Sequence, residues 1–110
     1  MDIIEKPWGQ EEILETNEFY TLKRLTMFNG KRCSKQYHNE KTETIYVIFG
    51  TLTLYLYNDS TLLLDAGNFW TINPMQTHRM AANNGIVIYL ECSTSQLEDI
   101  VRIEDDYNRK

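Results

Sequence analysis

The chain has 110 residues, 42% of them hydrophobic, and a formal net charge of −5. That length and composition fit one folded domain over residues 1–110 with a real core, and not a disordered segment. The negative charge argues against nucleic acid or an anionic membrane as partner, and no apolar run approaches the ~20 residues of a membrane span.

In chain order, residues 1–9 read as an irregular lead-in, without the basic-then-apolar pattern of a secretory signal. Trp8, bracketed by Pro7 and Gly9, is expected to anchor on a sheet edge. Residues 11–15 and 19–28 read as strands separated by Asn17, the second rich in β-formers. Asn29-Gly30 marks a turn. Residues 32–38 and 42–49 are the next two strands. After Gly50, residues 51–57 alternate strictly, which turns Leu52, Leu54 and Leu56 inward. Asn58-Asp59-Ser60 turns into a strand over 61–64, and Ala66-Gly67-Asn68 into one over 69–72. Residues 77–81 carry His78. Asn83-Asn84-Gly85 precedes 86–92, an apolar run that suits a strand buried on both faces. Residues 93–98 have capping-type side chains that could start a short helix. Residues 100–103 read as a last strand, and 104–110 as a charged tail. Many short strands separated by turns, with little helical periodicity, predict an all-β sandwich or barrel.

One stretch carries chemistry. Gln36 and His38 are two residues apart, so on a strand they project to the same face. Glu43 opens the next apolar run. If the two runs pair as neighbours, an amide oxygen, an imidazole and a carboxylate meet at one spot. His78, the only other histidine, can supply a fourth ligand. Gln36, His38, Glu43 and His78 therefore form a candidate site for a divalent metal. Zinc suits this donor set, and one carboxylate against a divalent ion leaves the centre electrophilic. Cys33 and Cys92 are expected to be free thiols in a reducing, cytoplasmic compartment, because no export signal is visible. Their direction alone leaves a ligand role for Cys33 open.

The spacing Gly30, Gln36, His38, Glu43, Gly50 resembles the first motif of the cupins, with Gln in place of the first His. Residues 67–83, with His78, resemble the second motif, although the turn Asn73-Pro74-Met75-Gln76-Thr77 lacks its usual glycine. Longer stretches are similar to one branch of that superfamily, the cupin domain of type II mannose-6-phosphate isomerase, usually fused behind a mannose-1-phosphate guanylyltransferase domain. They are KPWGQEE at residues 6–12, FGTLTL at 49–54, THR at 77–79 and DIVRIEDDYNR at 99–109.

The resemblance implies a jelly roll, two antiparallel sheets forming a small barrel. It also implies a metal-dependent sugar-phosphate isomerase of the mannose 6-phosphate to fructose 6-phosphate type. In such a reaction the metal stabilises charge that develops on the substrate oxygens. Lys41 occupies the place of the family's arginine and is the candidate catalytic cation. Arg32 and Arg24, by direction, and Arg79, by the family's His-Arg pair, are candidates for the substrate phosphate. Open sheet edges suggest a homodimer. Two other classes fit the same residues: a non-catalytic carbohydrate-binding or regulatory cupin, and another metal-dependent cupin enzyme such as an iron oxygenase.

Overall fold

A computed structural model describes residues 2–58, 60–96 and 98–109. Among them are eleven strands and no helix: β1 Asp2–Lys6, β2 Gly9–Thr16, β3 Thr21–Met27, β4 Lys35–Tyr37, β5 Glu43–Phe49, β6 Thr51–Tyr55, β7 Thr61–Asp65, β8 Phe69–Ile72, β9 Arg79–Ala81, β10 Val87–Ser93 and β11 Val101–Glu104. One sheet has six strands in the order β1-β2-β3-β10-β5-β8. The opposite layer holds β7-β6-β9 and the pair β11-β4. Two isolated bridges, Arg32 to Ala81 and Gln36 to His78, tie β9 to the segment around β4. Every pairing is antiparallel. The result is a jelly-roll-like sandwich whose two layers do not close into a barrel.

Period-2 alternation builds the interior. Along β3, Thr21, Lys23, Leu25 and Met27 are buried and the residues between them are half-exposed. Along β10, Val87, Tyr89, Glu91 and Ser93 point in. The core joins Leu25, Met27, Ile45, Val47, Val87 and Tyr89 of the large sheet to Leu52, Leu54 and Met80 of the other layer. Each fully buried side chain of this kind contributes about 1.5–3 kcal/mol. Leu52 and Leu54 are buried as the alternation predicts, and Leu56 packs on the core from its edge.

The departures from the sequence reading have physical reasons. The lead-in is a strand: β1 folds back on β2 around the two-residue loop Pro7-Trp8, with Lys6 opposite Gly9. Its residues are mostly exposed, so no hydrophobic period marks it. Trp8 lies in the core and not on an edge. β10 is half-buried, because its face carrying Cys92 is open. The expected ligand strand over 32–38 shrinks to β4. Residues 93–98 form no helix among the described residues, since Ser93 completes β10; Leu97 lies outside the described residues, as does Asp59 of the turn at 58–60.

Candidate metal centre

The register of the large sheet assembles a polar band on its inner face. Glu91 lies opposite Lys23 on one side and Ile45 on the other. Ser93 lies opposite Glu43, which makes Glu91 and Glu43 diagonal neighbours. The other layer brings the imidazoles. Gln36 and His78 exchange both backbone hydrogen bonds, at 2.9 Å each, and His38 follows β4. The expectation that the strands of His38 and Glu43 pair with each other is thus corrected. β4 pairs with β11, β5 pairs with β10 and β8, and the ligands meet across the sandwich.

His38, Glu43 and His78 converge, with one potential ligand atom from each lying within 4.8 Å of the others. Both histidine Nε2 atoms are 3.1 Å from Glu43 Oε1. The far side of each ring fixes its tautomer. His38 Nδ1 lies 2.5 Å from the Asp99 carbonyl, and His78 Nδ1 lies 2.9 Å from the Gln76 carbonyl. A carbonyl only accepts, so each Nδ1 carries a hydrogen, and the neutral form of each ring turns the Nε2 lone pair toward Glu43. His78 Nε2, although close to Glu43, makes no hydrogen bond and is fully buried. Three acceptors thus face one point, all of them buried, and a cation at that point satisfies them together. This donor set fits a divalent ion.

Gln36 borders the same cavity, and its amide oxygen accepts the Ser34 hydroxyl at 2.5 Å. An amide oxygen has two lone pairs, so one stays available. Lys41 is buried with Nζ 3.9 Å from Glu43 Oε2. Burial pushes the Glu43 carboxyl up. The close His38 and His78 side chains, a hydrogen bond from Glu91 and the charge of Lys41 nonetheless hold it well below the usual carboxylate range. Burial, reinforced by the charge of Glu43, lifts Glu91 to about 8 against Lys41 and Lys23. At neutral pH Glu91 is therefore protonated and donates to Glu43.

A cavity of roughly 130 Å³ opens beside these groups. Its walls carry Lys6, Lys23, Lys41, Arg102 and Arg109 against Glu11, Glu43 and Glu91. Glu11 sits between Lys23, in direct contact, and Lys6 at 3.3 Å. Arg109 is gripped by Asp105 through Nε at 3.0 Å and Nη2 at 3.1 Å. A protein of net charge −5 thus keeps its cavity basic. Sequence reasoning missed Lys23, Glu91, Arg102 and Arg109. The signal for the first two was their parity with Leu25 and Tyr89 on the inward face.

The phosphate candidates fall elsewhere. Arg24 alternates to the outer face of β3 and pairs with Glu12 at 2.8 and 3.0 Å. Arg32 forms a bidentate pair with Asp106 at the surface, at 2.7 and 2.9 Å. Arg79 is buried, donating from Nε to the Cys33 carbonyl at 2.9 Å and from Nη2 to the Glu104 carbonyl at 3.3 Å. These guanidinium groups hold the fold together, and Arg32 and Arg79 border a second pocket, which His78 also lines. Both cysteines are free. Burial pushes the Cys33 thiol up to about 11, and its sulfur is engaged with the Ser34 carbonyl at 3.4 Å and the Met80 N–H at 3.3 Å.

Residues 2–105 match the family described as Mannose-6-phosphate isomerase C-terminal. The chain belongs to that family. It is 32% identical over 108 residues to the xanthan biosynthesis protein XanB of Xanthomonas campestris, covering 94% of this chain and 23% of that protein. It is 29% identical over 108 residues to the alginate biosynthesis protein AlgA of Pseudomonas aeruginosa, covering 94% and 22%. The mannose-1-phosphate guanylyltransferase ManC of Salmonella typhimurium is 27% identical over 109 residues, with the same coverage, 94% and 22%. The chain therefore spans less than a quarter of the length of these relatives. Among solved structures, KdgF from a Halomonas species superposes with a TM-score of 0.80 at 14% identity, covering 89% of each chain. An RmlC-like cupin from Shewanella frigidimarina gives 0.77 at 15% identity, covering 88% and 86%. These establish the cupin fold.

The relatives correct the functional expectation. They are named for guanylyl transfer and for polysaccharide biosynthesis, and they match this chain only through their isomerase-like C-terminal part. Conversion of mannose 6-phosphate to fructose 6-phosphate therefore does not stand as the activity of this chain. The relatives are enzymes of carbohydrate metabolism. No helix among the described residues is long and apolar enough to cross a membrane.

Proposed function

We propose that this cupin domain is a metal-centred binding site for a phosphorylated sugar of the mannose type, serving the mannose-phosphate chemistry for which its relatives are named. The observation that carries the reading is the convergence of His38 Nε2, His78 Nε2 and Glu43 Oε1, with His38 and Glu43 also lining the basic cavity. These three residues, with Gln36 beside them, would hold one divalent ion, and two imidazoles with a carboxylate favour zinc. A bound ion supplies an electrophilic centre for ligand oxygens. Lys6, Lys41, Arg102 and Arg109 supply charge for a phosphate. A cavity of roughly 130 Å³ accepts one end of a hexose phosphate, with the remainder at the mouth. We place the chain in the reducing cytoplasm, where its two free thiols persist. We also place it in a homodimer that covers the exposed edge strand β1.

Isothermal titration calorimetry of the zinc-loaded protein with mannose 1-phosphate, mannose and inorganic phosphate tests this reading. Saturable binding of mannose 1-phosphate that is stronger than that of either part, and lost with chelator, is the expected result. No binding of mannose 1-phosphate by fully loaded protein would contradict it.

A further inference from the structure

The segment over residues 99–109 that set this chain apart in sequence begins with a residue bonded on two sides. The Asp99 carbonyl accepts the Nδ1–H of His38 at 2.5 Å. The Asp99 carboxylate accepts three consecutive backbone N–H groups: Asn39 at 2.9 Å on Oδ1, then Glu40 at 2.7 Å and Lys41 at 3.0 Å on Oδ2. The Asn39 side chain adds a fourth bond at 3.3 Å. Consecutive amides turned toward one anion form a nest. Residues 39–42 belong to no strand, yet they connect His38 to Glu43 and carry Lys41. One residue, about sixty positions away in the chain, holds both the ring and the linker.

We infer that Asp99 is a positioning residue of the metal centre. Its carboxylate fixes the 39–41 linker, and its carbonyl fixes the tautomer and tilt of His38. The consequence for metal affinity rests on the metal reading above; the tautomer does not. A backbone carbonyl survives any substitution at 99, so what the side chain contributes is its location. Without the carboxylate, residue 99 loses its attachment to the linker, and its carbonyl can drift from the ring. His38 is then free to take the other tautomer, which turns an N–H and not a lone pair toward the ion. Outer contacts of such histidine ligands typically account for about 10–100-fold in metal affinity.

The test compares the wild type with Asp99→Ala, Asp99→Asn and Asp106→Ala. Asp106→Ala removes the surface anchor to Arg32 at the other end of the segment and leaves Asp99 intact. Long-range proton–nitrogen spectra of the metal-free proteins read the His38 tautomer. Cobalt competition against a chelator, with the visible spectrum of the cobalt form, reads affinity and ligand geometry. Asp99→Ala is expected to lose the single Nδ1–H tautomer, to bind cobalt 10–100-fold more weakly and to shift the cobalt bands. Asp99→Asn keeps one oxygen on the nest and turns an amide N–H₂ on the other donors, so it should fall between. Asp106→Ala should lower thermal stability while keeping the tautomer and binding cobalt within about twofold of wild type. Should Asp99→Ala fail to fold, Asp99→Asn decides alone. Wild-type tautomer and affinity in the folded Asp99 variants overturn the inference, as does an equal loss in Asp106→Ala. A wild type that binds no cobalt overturns the metal reading, and the tautomer comparison still decides the role of Asp99.

Discussion

Replacing Lys23 by Met tests the charge arrangement behind the site. Lys23 is an inward residue of β3, opposite Glu91 and in contact with Glu11. Methionine preserves its bulk and apolar stem but leaves Glu11, itself buried, with Lys6 alone. Removing one partner of a buried pair costs about 3–5 kcal/mol. The low end applies here because Lys6 remains. A loss of about 3 kcal/mol corresponds to a fall of roughly 12 °C in Tm for a chain of this size. The pH dependence follows from Glu11. Burial raises its pKa, but Lys23 and then Lys6 outweigh that and bring it below 4.5. A lowered carboxylate stabilises the fold above its unfolded pKa, and that stabilisation is lost as the pH falls through the folded value. With Lys23 gone, Glu11 loses the larger of its two cationic partners, so acid removes less from the variant than from the wild type. The gap between wild type and Lys23→Met should be widest at pH 7 and narrow as the pH falls below 4.5. Urea unfolding followed by tryptophan fluorescence, on both proteins without metal, measures it. A loss under about 1 kcal/mol at pH 7, with a gap independent of pH, would refute the reasoning.

Gly50→Ala should destabilise strongly, because φ there is +84° and an added Cβ would lie 2.4 Å from the Ile86 carbonyl oxygen; the backbone conformation alone costs about 1–2 kcal/mol, and a Tm within 3 °C of wild type would contradict this. A thiol reagent at pH 8 should label the exposed Cys92 at once, and the buried Cys33, at about 11, only on unfolding; equal labelling of both in the native state would show Cys33 to be accessible. Arg24→Ala, altering only the outer face of β3, should leave mannose 1-phosphate affinity unchanged, whereas Arg109→Ala should weaken it; calorimetry showing the reverse would return Arg24 to the ligand.

The legible parts of the sequence were those with a pattern. β6 announces itself by alternation, so Leu52 and Leu54 could be turned inward without coordinates; β3 shows through its β-formers, and β5 and β10 as apolar runs between turns, which conceals that β10 is open on one face. β1 could not, because a solvent-facing hairpin arm lacks a hydrophobic stripe. His38, Glu43 and His78 were visible through spacing and resemblance, although the pairing imagined for them was wrong. Lys23 and Glu91 hid because charged residues read as outward-facing, and only the cross-strand register shows them side by side on the inward face, where Lys23 pairs with Glu11. Arg24, Arg32 and Arg79 looked like phosphate ligands because composition says nothing about partners such as Glu12, Asp106 and a backbone carbonyl. Arg102 and Arg109 were read as part of a closing strand and a charged tail, yet β11 carries that segment back over the cavity through its pairing with β4.

The central claim is that three buried acceptors wait for one cation. Metal analysis of chelator-stripped, zinc-reloaded and desalted protein tests it most directly, together with the thermal shift on loading. One zinc per chain is expected in the wild type and none in His78→Ala or Glu43→Gln. Zinc at a hundred times its dissociation constant should stabilise the wild type by about 2.7 kcal/mol, or roughly 10 °C. Wild-type protein that retains no divalent ion under any loading condition, with no shift in Tm, would contradict the account.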